Sequence, residues 1–245
     1  MFGLKIKNAH RKTIEDALEK CLCIHYSTEN FKRKSDKAKV IQILEIKSGI
    51  PVEATAFIFQ NKRKDKNEYA RYFDFLEKRC NQPILHWRME NEKFGFRHLE
   101  LVGEGLGAKP YRVLPQNKIN LKRLIEAAHP KTKPDDLKMN HLFALNDCEM
   151  EGFIEGEKEA DIPHREKEAL RASTFRKVQN IYKLAYLFGT NNLKVTKGKP
   201  SQVWTPYVAI MIFAALMFGA AASNIKPETL SDIRDAIKFA ITSYE

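Results

Sequence analysis

Residues 203–225 carry no charged side chain, although 30% of the residues in the chain are charged. So long an apolar run must be hidden from water, in a core, in a partner or in lipid. Its length fits the roughly 17–25 residues with which a helix spans a bilayer. Amphipathic segments at 164–188 and 228–243 could cover it equally well. We expect a buried helix, within the core or at an interface with a second copy or another protein, and keep a membrane anchor as the alternative.

The residues before this run are strongly basic. Residues 169–199 include seven Lys or Arg and no Asp or Glu, and the whole chain has a formal net charge of +11. Such a charge favours polyanionic partners, nucleic acid above all. Residues 147–168 have the opposite character, with nine acidic and three basic side chains. We therefore predict three parts: a basic α/β part at 1–146, an acidic linker or surface loop at 147–163, and a helical part at 164–245.

Cysteine usage and the N-terminal residues predict a cytoplasmic protein. Four cysteines in 245 residues do not suggest a disulfide framework, and the first 20 residues lack the apolar segment of a secretory signal. A zinc site is not expected, because Cys21 and His25 would share a helix face that Cys23 does not. We predict no resident metal and no cofactor, with Mg²⁺ required only if the chain is a nuclease.

The predicted fold class is α+β, with a mixed α/β N-terminal part, possible winged-helix character, and an all-helical C-terminal part that holds the buried apolar helix. Apolar periodicity predicts helices at 9–24, 67–80, 119–128 and 164–188. In the first helix, Ile14, Leu18 and Leu22 would share one face. Two short apolar runs flank a polar turn and predict a hairpin over 84–102, followed by a strand at 111–114.

Residues 39–60 are ambiguous. Two β-branched or aromatic runs surround Ser48 and Gly49, which fits a β-hairpin. The same segment also fits a helix–turn–helix with Gly49 at the turn. Glu45 disfavours that second interpretation, because a small residue is usually needed there for two helices to approach.

Three basic clusters are the candidate nucleic-acid contacts. The first two flank residues 40–60 and would form one patch if that segment is a hairpin. Neutralising phosphates with such a patch releases counterions and gives affinity without sequence preference. The predicted contacts are Lys32, Arg33, Lys34, Lys37 and Lys39; Lys62, Arg63, Lys64 and Lys66; and Arg171, Arg176, Lys177, Lys194, Lys197 and Lys199.

An enzymatic alternative rests on Glu45-Ile46-Lys47, which ends a strand-like run. A carboxylate and a lysine two residues apart on a strand point to one face, and with a second carboxylate, Asp36, they could hold Mg²⁺ and orient a water. This arrangement resembles half of the PD-(D/E)xK nuclease pattern. The resemblance implies Asp36, Glu45 and Lys47 as catalytic residues for phosphodiester cleavage. Our main expectation remains a nucleic-acid-binding protein, with double-stranded DNA as its first candidate ligand and with a role as a subunit of a larger assembly.

Overall fold

The computed structural model describes residues 2–28, 37–60, 62–90, 95–163 and 166–196. These residues belong to one compact unit, residues 1–198. Its five strands are β1 (Lys20–Thr28), β2 (Ala38–Lys47), β3 (Ile50–Ile58), β4 (Ile84–His86) and β5 (Lys118–Asn120). The α-helices of the described part are α1 (Phe2–Leu18), α2 (Lys62–Glu77), α3 (Phe96–Gly105), α4 (Leu121–Ala128), α5 (Met139–Leu145), α6 (Gly156–Asp161) and α7 (Lys167–Gly189). The apolar helix predicted at 203–225 lies outside the described residues.

The strands form one mixed sheet in the order β3-β2-β1-β4-β5. Strand β2 is antiparallel to both of its neighbours, whereas β4 is parallel to β1 and β5 is parallel to β4. Four strands, β1, β3, β4 and β5, therefore end at the same edge of the sheet, where β2 begins. We call this the carboxyl edge and the opposite one the amino edge. The mixed α/β architecture that the sequence predicted is confirmed for these residues.

The segment over 39–60 is a β-hairpin, so the helix–turn–helix interpretation is wrong. Its two-residue turn places Ser48 at φ 51° and Gly49 at φ 69°, the left-handed pair that matches the twist of tight hairpins. The turn is anchored on the end of α1, where Leu18 and Glu19 accept hydrogen bonds from the backbone N–H groups of Gly49 and Ser48. The β-branched and aromatic residues of this segment pack well on a pleated surface, which explains the outcome.

Helices cover both faces of the sheet. On one face, α2 and α3 pack over Leu22, Ile24 and Ile43. On the other face, α1, α4, α5 and α7 pack over alternate residues such as Cys21, Cys23 and Leu44. We call these the α2 face and the α7 face. Successive side chains of β1 and β2 point to opposite faces of the sheet, so each face carries its own apolar cluster, as expected for a sheet buried on both sides.

Three sequence predictions need correction. The first helix ends at Leu18, and Leu22 lies in β1, because residues 21–24 are buried on alternating faces of the sheet. The hairpin over 84–102 is absent: β4 is followed by helix α3, which buries Phe96, Leu99 and Gly103 at helical spacing. Residues 111–114 form no strand.

The acidic segment is more ordered than a linker. It contains α6, and Glu159 within this helix is only 1% exposed. Helix α7, predicted from apolar periodicity, packs on β1, β2 and α1 inside the same compact unit. Gly189 is the last residue of α7. Within the described ranges, no helix has both the length and the apolar character needed to cross a bilayer.

Candidate functional site

The connections after β4 and β5 diverge at the carboxyl edge. After β4 the chain enters α3 on the α2 face, and after β5 it enters α4 on the α7 face. In open α/β sheets, ligands bind between neighbouring parallel strands whose connections leave in opposite directions. We use the word crevice for this place, between the ends of β4 and β5. The topology alone therefore indicates the ends of β4 and β5 as a candidate ligand-binding position.

A short loop follows β4 and lines this crevice. Its exposed residue Arg88 has φ 56°, a backbone conformation that a long side chain seldom adopts. Such strain costs on the order of 1–3 kcal/mol and is found most often at binding and catalytic sites. The loop is fixed from below by His86, whose Nδ1 accepts a hydrogen bond of 3.0 Å from the backbone N–H of Met89. The backbone of this loop is therefore held in one conformation, and that conformation places Arg88 at the carboxyl edge.

The other side of the crevice is built by Asn120, the last residue of β5. Its side-chain oxygen caps α4 by accepting from the backbone N–H of Arg123 at 3.2 Å, and its amide donates to Glu90 Oε2 at 3.0 Å. The hydrogen bond to Glu90 spans the crevice between the two connections. The N-termini of α3 and α4 both lie at this edge, and each contributes a partial positive charge.

Lys37, from the first predicted basic cluster, contacts the first turn of α2 at the same edge. Lys37 Nζ lies 3.2 Å from Asp65 Oδ2 in the first turn of α2. The strand ends also pair directly, since the backbone N–H of Phe59 donates to the carbonyl of Lys39 at 3.0 Å. The expected convergence of the two clusters is therefore observed for Lys37 and the first turn of α2, whose backbone includes Lys62 and Arg63.

Exposed cations reach the carboxyl edge from five parts of the chain: the residue before β2, the first turns of α2, the loop after β4, the first turn of α3 and the first turn of α4. Their exposed or partly exposed members are Lys37, Lys64, Lys66, Arg88, Arg97 and Arg123. Acidic side chains there include Asp65, which is buried beneath Lys37, Glu90, which is bonded to Asn120, and Glu100, whose Oε2 lies 3.2 Å from Arg97 Nη1. The described residues of this edge therefore carry more positive than negative charge.

His86 lies beneath this surface as a neutral group. It is fully buried, its ring packs edge-on against Phe96, and burial together with the charge of Lys118 lowers its pKa to about 3. Because Nδ1 accepts from Met89, the proton of the neutral ring belongs on Nε2. No described residue accepts a hydrogen bond from Nε2. His86 supports the loop, and its burial keeps it out of the exposed surface.

Two predicted contact residues are committed to the fold. Lys39 is 4% exposed and donates to the carbonyl oxygens of Glu159, Ala160 and Ile162 at the end of α6. Lys177 is 1% exposed and its ammonium lies 2.7 Å from Glu159 Oε2. Burial lowers the pKa of Lys177 even though Glu159 opposes the shift. Neither ammonium group is accessible to a phosphate in this conformation.

The remaining predicted contacts are dispersed or lie beyond the described part. Arg171 is exposed on α7, Arg176 donates to the carbonyl of Glu151, and Lys194 lies 3.3 Å from Asp147 Oδ2. These three belong to the α7 side of the molecule rather than to the crevice. The residues outside the described ranges are Lys32, Arg33, Lys34, Lys197 and Lys199.

The nuclease alternative gains no support from the described geometry. Glu45 is 4% exposed, with Lys47 Nζ 3.2 Å from Oε1 and Arg79 Nη2 3.0 Å from Oε2. Burial acts to raise the pKa of Glu45, but hydrogen bonds and charge from Arg79 and Lys47 outweigh it and hold the pKa below its ordinary value. Asp36 lies outside the described residues.

No cluster of three or more His, Cys, Asp or Glu side chains suited to a metal ion occurs in the described residues. Cys21 and Cys23 are buried in the α7-face cluster as free thiols. The residues that sequence reasoning missed are Arg88, Arg97 and Arg123. None of them belongs to a long basic run, so only the strand order, which was not predicted, could have placed them beside the lysine clusters.

Comparisons with protein-family models, curated proteins and solved structures find no match for this chain. Its function is therefore argued from the chemistry of the carboxyl edge.

Proposed function

We propose that this chain binds nucleic acid at the carboxyl edge of its sheet, with double-stranded DNA as the first candidate ligand. The observation that carries the proposal is the delivery of exposed cations to one edge by separate parts of the chain. The contact between Lys37 and Asp65 holds two of these parts together. An array of spaced cations suits a ligand with regularly spaced phosphates better than a single small anion.

Arginine is well represented at this edge, in Arg88, Arg97 and Arg123. A guanidinium group can donate two parallel hydrogen bonds to one phosphate, so these residues suit backbone contacts that position a nucleic acid. The N-termini of α3 and α4 add backbone N–H groups of the same polarity. Binding of this kind is strong at low salt and carries little sequence preference.

The rest of the chain enters the proposal as an expectation. The helical part at 164–245, with its apolar helix over 203–225, would supply the contact for a homo-oligomer or for a protein partner in a larger assembly. Residues 62–64 lie in the first turn of α2. We expect that neutralising them weakens nucleic-acid binding, and that neutralising the basic residues between β1 and β2 does the same. We also expect the protein to be cytoplasmic.

Fluorescence anisotropy with a labelled 20-base-pair duplex, titrated with the full chain at several KCl concentrations, tests the proposal. Contacts with about four to six phosphates predict a slope of about −4 to −5 in log K against log salt. Replacing Lys62, Arg63 and Lys64 with alanine should make that slope shallower. An absent interaction, or one that salt does not weaken, would exclude the proposal.

A further inference from the structure

We propose that an unpaired nucleobase occupies a cavity between α7 and strands β2 and β3, a hypothesis that rests on the nucleic-acid binding proposed above. The cavity has a volume of about 220 Å³ and is lined by Gln42, Ala54, Glu168, Arg171, Ala172 and Phe175. A water molecule takes about 30 Å³ in the liquid, so the space equals about seven waters. That is room for one ring system rather than for a large ligand.

The lining combines an unsatisfied amide with an aromatic wall. Gln42 lies on β2, is 3% exposed, and has an Oε1 atom that accepts no hydrogen bond from any described residue. A buried amide without a partner is unfavourable, and a ligand that offers a donor removes that penalty. The side-chain amide holds both a donor and an acceptor, which is the pattern needed to bond the edge of a base. Phe175 supplies a ring on which a base can stack.

Charge at the cavity mouth favours a neutral ligand group. Arg171 Nη1 lies 3.9 Å from Glu168 Oε2, and both side chains are more than half exposed. Because the carboxylate partly neutralises the guanidinium, the cavity does not act as a trap for a bare phosphate. A base is uncharged, and its exocyclic amino groups can donate to Glu168. Arg171 remains able to contact the phosphate that follows such a base.

The position of the cavity suits an unpaired strand that leaves the carboxyl edge. Gln42 is four residues into β2 from Ala38, so it lies roughly 14 Å from that edge on the α7 face. Two alanines, Ala54 and Ala172, flank the space and are exposed. Small residues at both positions leave the cavity open on the surface of the sheet.

Blocking variants test the inference with little risk to folding, because both alanines are exposed. Ala54→Leu and Ala172→Leu fill the space, and Ala127→Leu, at an exposed position of α4, is the matched control. The ligands are a labelled blunt duplex and the same duplex with a three-nucleotide overhang that contains 2-aminopurine. Either blocking variant should lose the stacking of one base. We therefore expect it to bind the overhang duplex about 10-fold more weakly than the wild type does, and the blunt duplex equally well.

The 2-aminopurine signal reports the base itself. We expect its fluorescence to change when the wild-type chain or Ala127→Leu binds, and to stay at the level of the free duplex with Ala54→Leu, Ala172→Leu or Gln42→Leu. If the blocking variants bind the overhang as tightly as the wild type, or weaken both duplexes equally, the inference is overturned while nucleic-acid binding stands. If the wild type binds neither duplex, the proposed function itself fails.

Discussion

Lys37 Nζ lies 3.2 Å from Asp65 Oδ2, and this contact fastens the residue before β2 to the first turn of α2. Asp65 also accepts a hydrogen bond of 2.6 Å from the backbone N–H of Gln60, just after β3. One buried carboxylate therefore ties together both ends of the β2–β3 hairpin and the helix that follows. The same contact brings two lysine-rich segments to one edge of the sheet.

Removing this carboxylate should destabilise the protein. Asp65→Ala leaves the N–H of Gln60 without its acceptor and removes the charge that faces Lys37, so we expect the free energy of unfolding to fall by about 2–4 kcal/mol. Urea denaturation of both proteins gives the value. Asp74→Ala, which breaks the exposed pair with Lys78 on the same helix, is the control and should cost no more than about 0.5 kcal/mol. Equal losses for the two variants would contradict this role of Asp65.

The buried pair of Glu159 and Lys177 should matter most when only one partner is removed. Glu159 also accepts from Ser173 Oγ at 2.7 Å. Glu159→Gln leaves the ammonium of Lys177 buried without a counter-charge, so a loss of about 3–5 kcal/mol is expected. The double variant Glu159→Gln/Lys177→Met removes that buried charge and should recover most of the loss. A double variant that is less stable than Glu159→Gln would show that the unpaired charge of Lys177 is not the main cause of the lost stability.

Two glycines with open space around them should respond in opposite directions to the same change. Nothing lies within 4 Å of a methyl group built on either Gly49 or Gly105, but only Gly49 has a positive φ. Gly49→Ala should lower the free energy of unfolding by about 1 kcal/mol, because alanine is strained in this conformation. Gly105→Ala should raise it by about 0.5 kcal/mol through better helix propensity. Thermal and urea unfolding of the two variants measure both signs.

Burial of neutral His86 predicts a loss of stability in acid. Its pKa is lowered to about 3 in the folded protein, against an ordinary value near 6.5. Between these values the unfolded chain binds a proton and the folded chain does not, so the free energy of unfolding falls as the pH drops from 6.5 towards 3. The loss from this one group is about 2–3 kcal/mol at pH 4.5.

The variant His86→Asn isolates that contribution. Asparagine keeps an acceptor for the backbone N–H of Met89 but does not titrate. Urea unfolding at pH 7.0 and pH 4.5 should show a smaller acid loss for the variant than for the wild type, whatever the stability of the two proteins at pH 7.0. An identical loss would mean that His86 is protonated in the folded state.

Local sequence patterns predicted the elements whose burial follows a simple period. The helices predicted at 164–188 and 119–128 are found as α7 and α4, and each of them buries apolar residues on the sheet. Helix α3 was taken for a strand, because the run around Phe96 and Leu99 is short and rich in residues that suit either structure. Leu22 continued a helical spacing from Ile14, although the chain had already turned into β1.

The site depended on tertiary relationships that no local pattern contains. The hairpin interpretation alone implied that Lys37 approaches the start of α2. Nothing in the residues next to Lys39 or Lys177 showed that their ammonium groups would be buried, because the groups that receive them belong to the end of α6, a short helix that was not predicted. Arg88 and Arg123 reach the same edge only through the parallel pairing of β4 with β5.

The most direct test of nucleic-acid binding compares the two edges of the sheet at equal charge. Lys66→Ala/Arg88→Ala removes two exposed cations from the carboxyl edge, and Lys20→Ala/Lys78→Ala removes two from the amino edge. In anisotropy titrations of a labelled duplex, we predict that the salt slope becomes shallower by about 2 for the first variant and stays at the wild-type value for the second. Equal slopes for the two variants would contradict a nucleic-acid surface at the carboxyl edge.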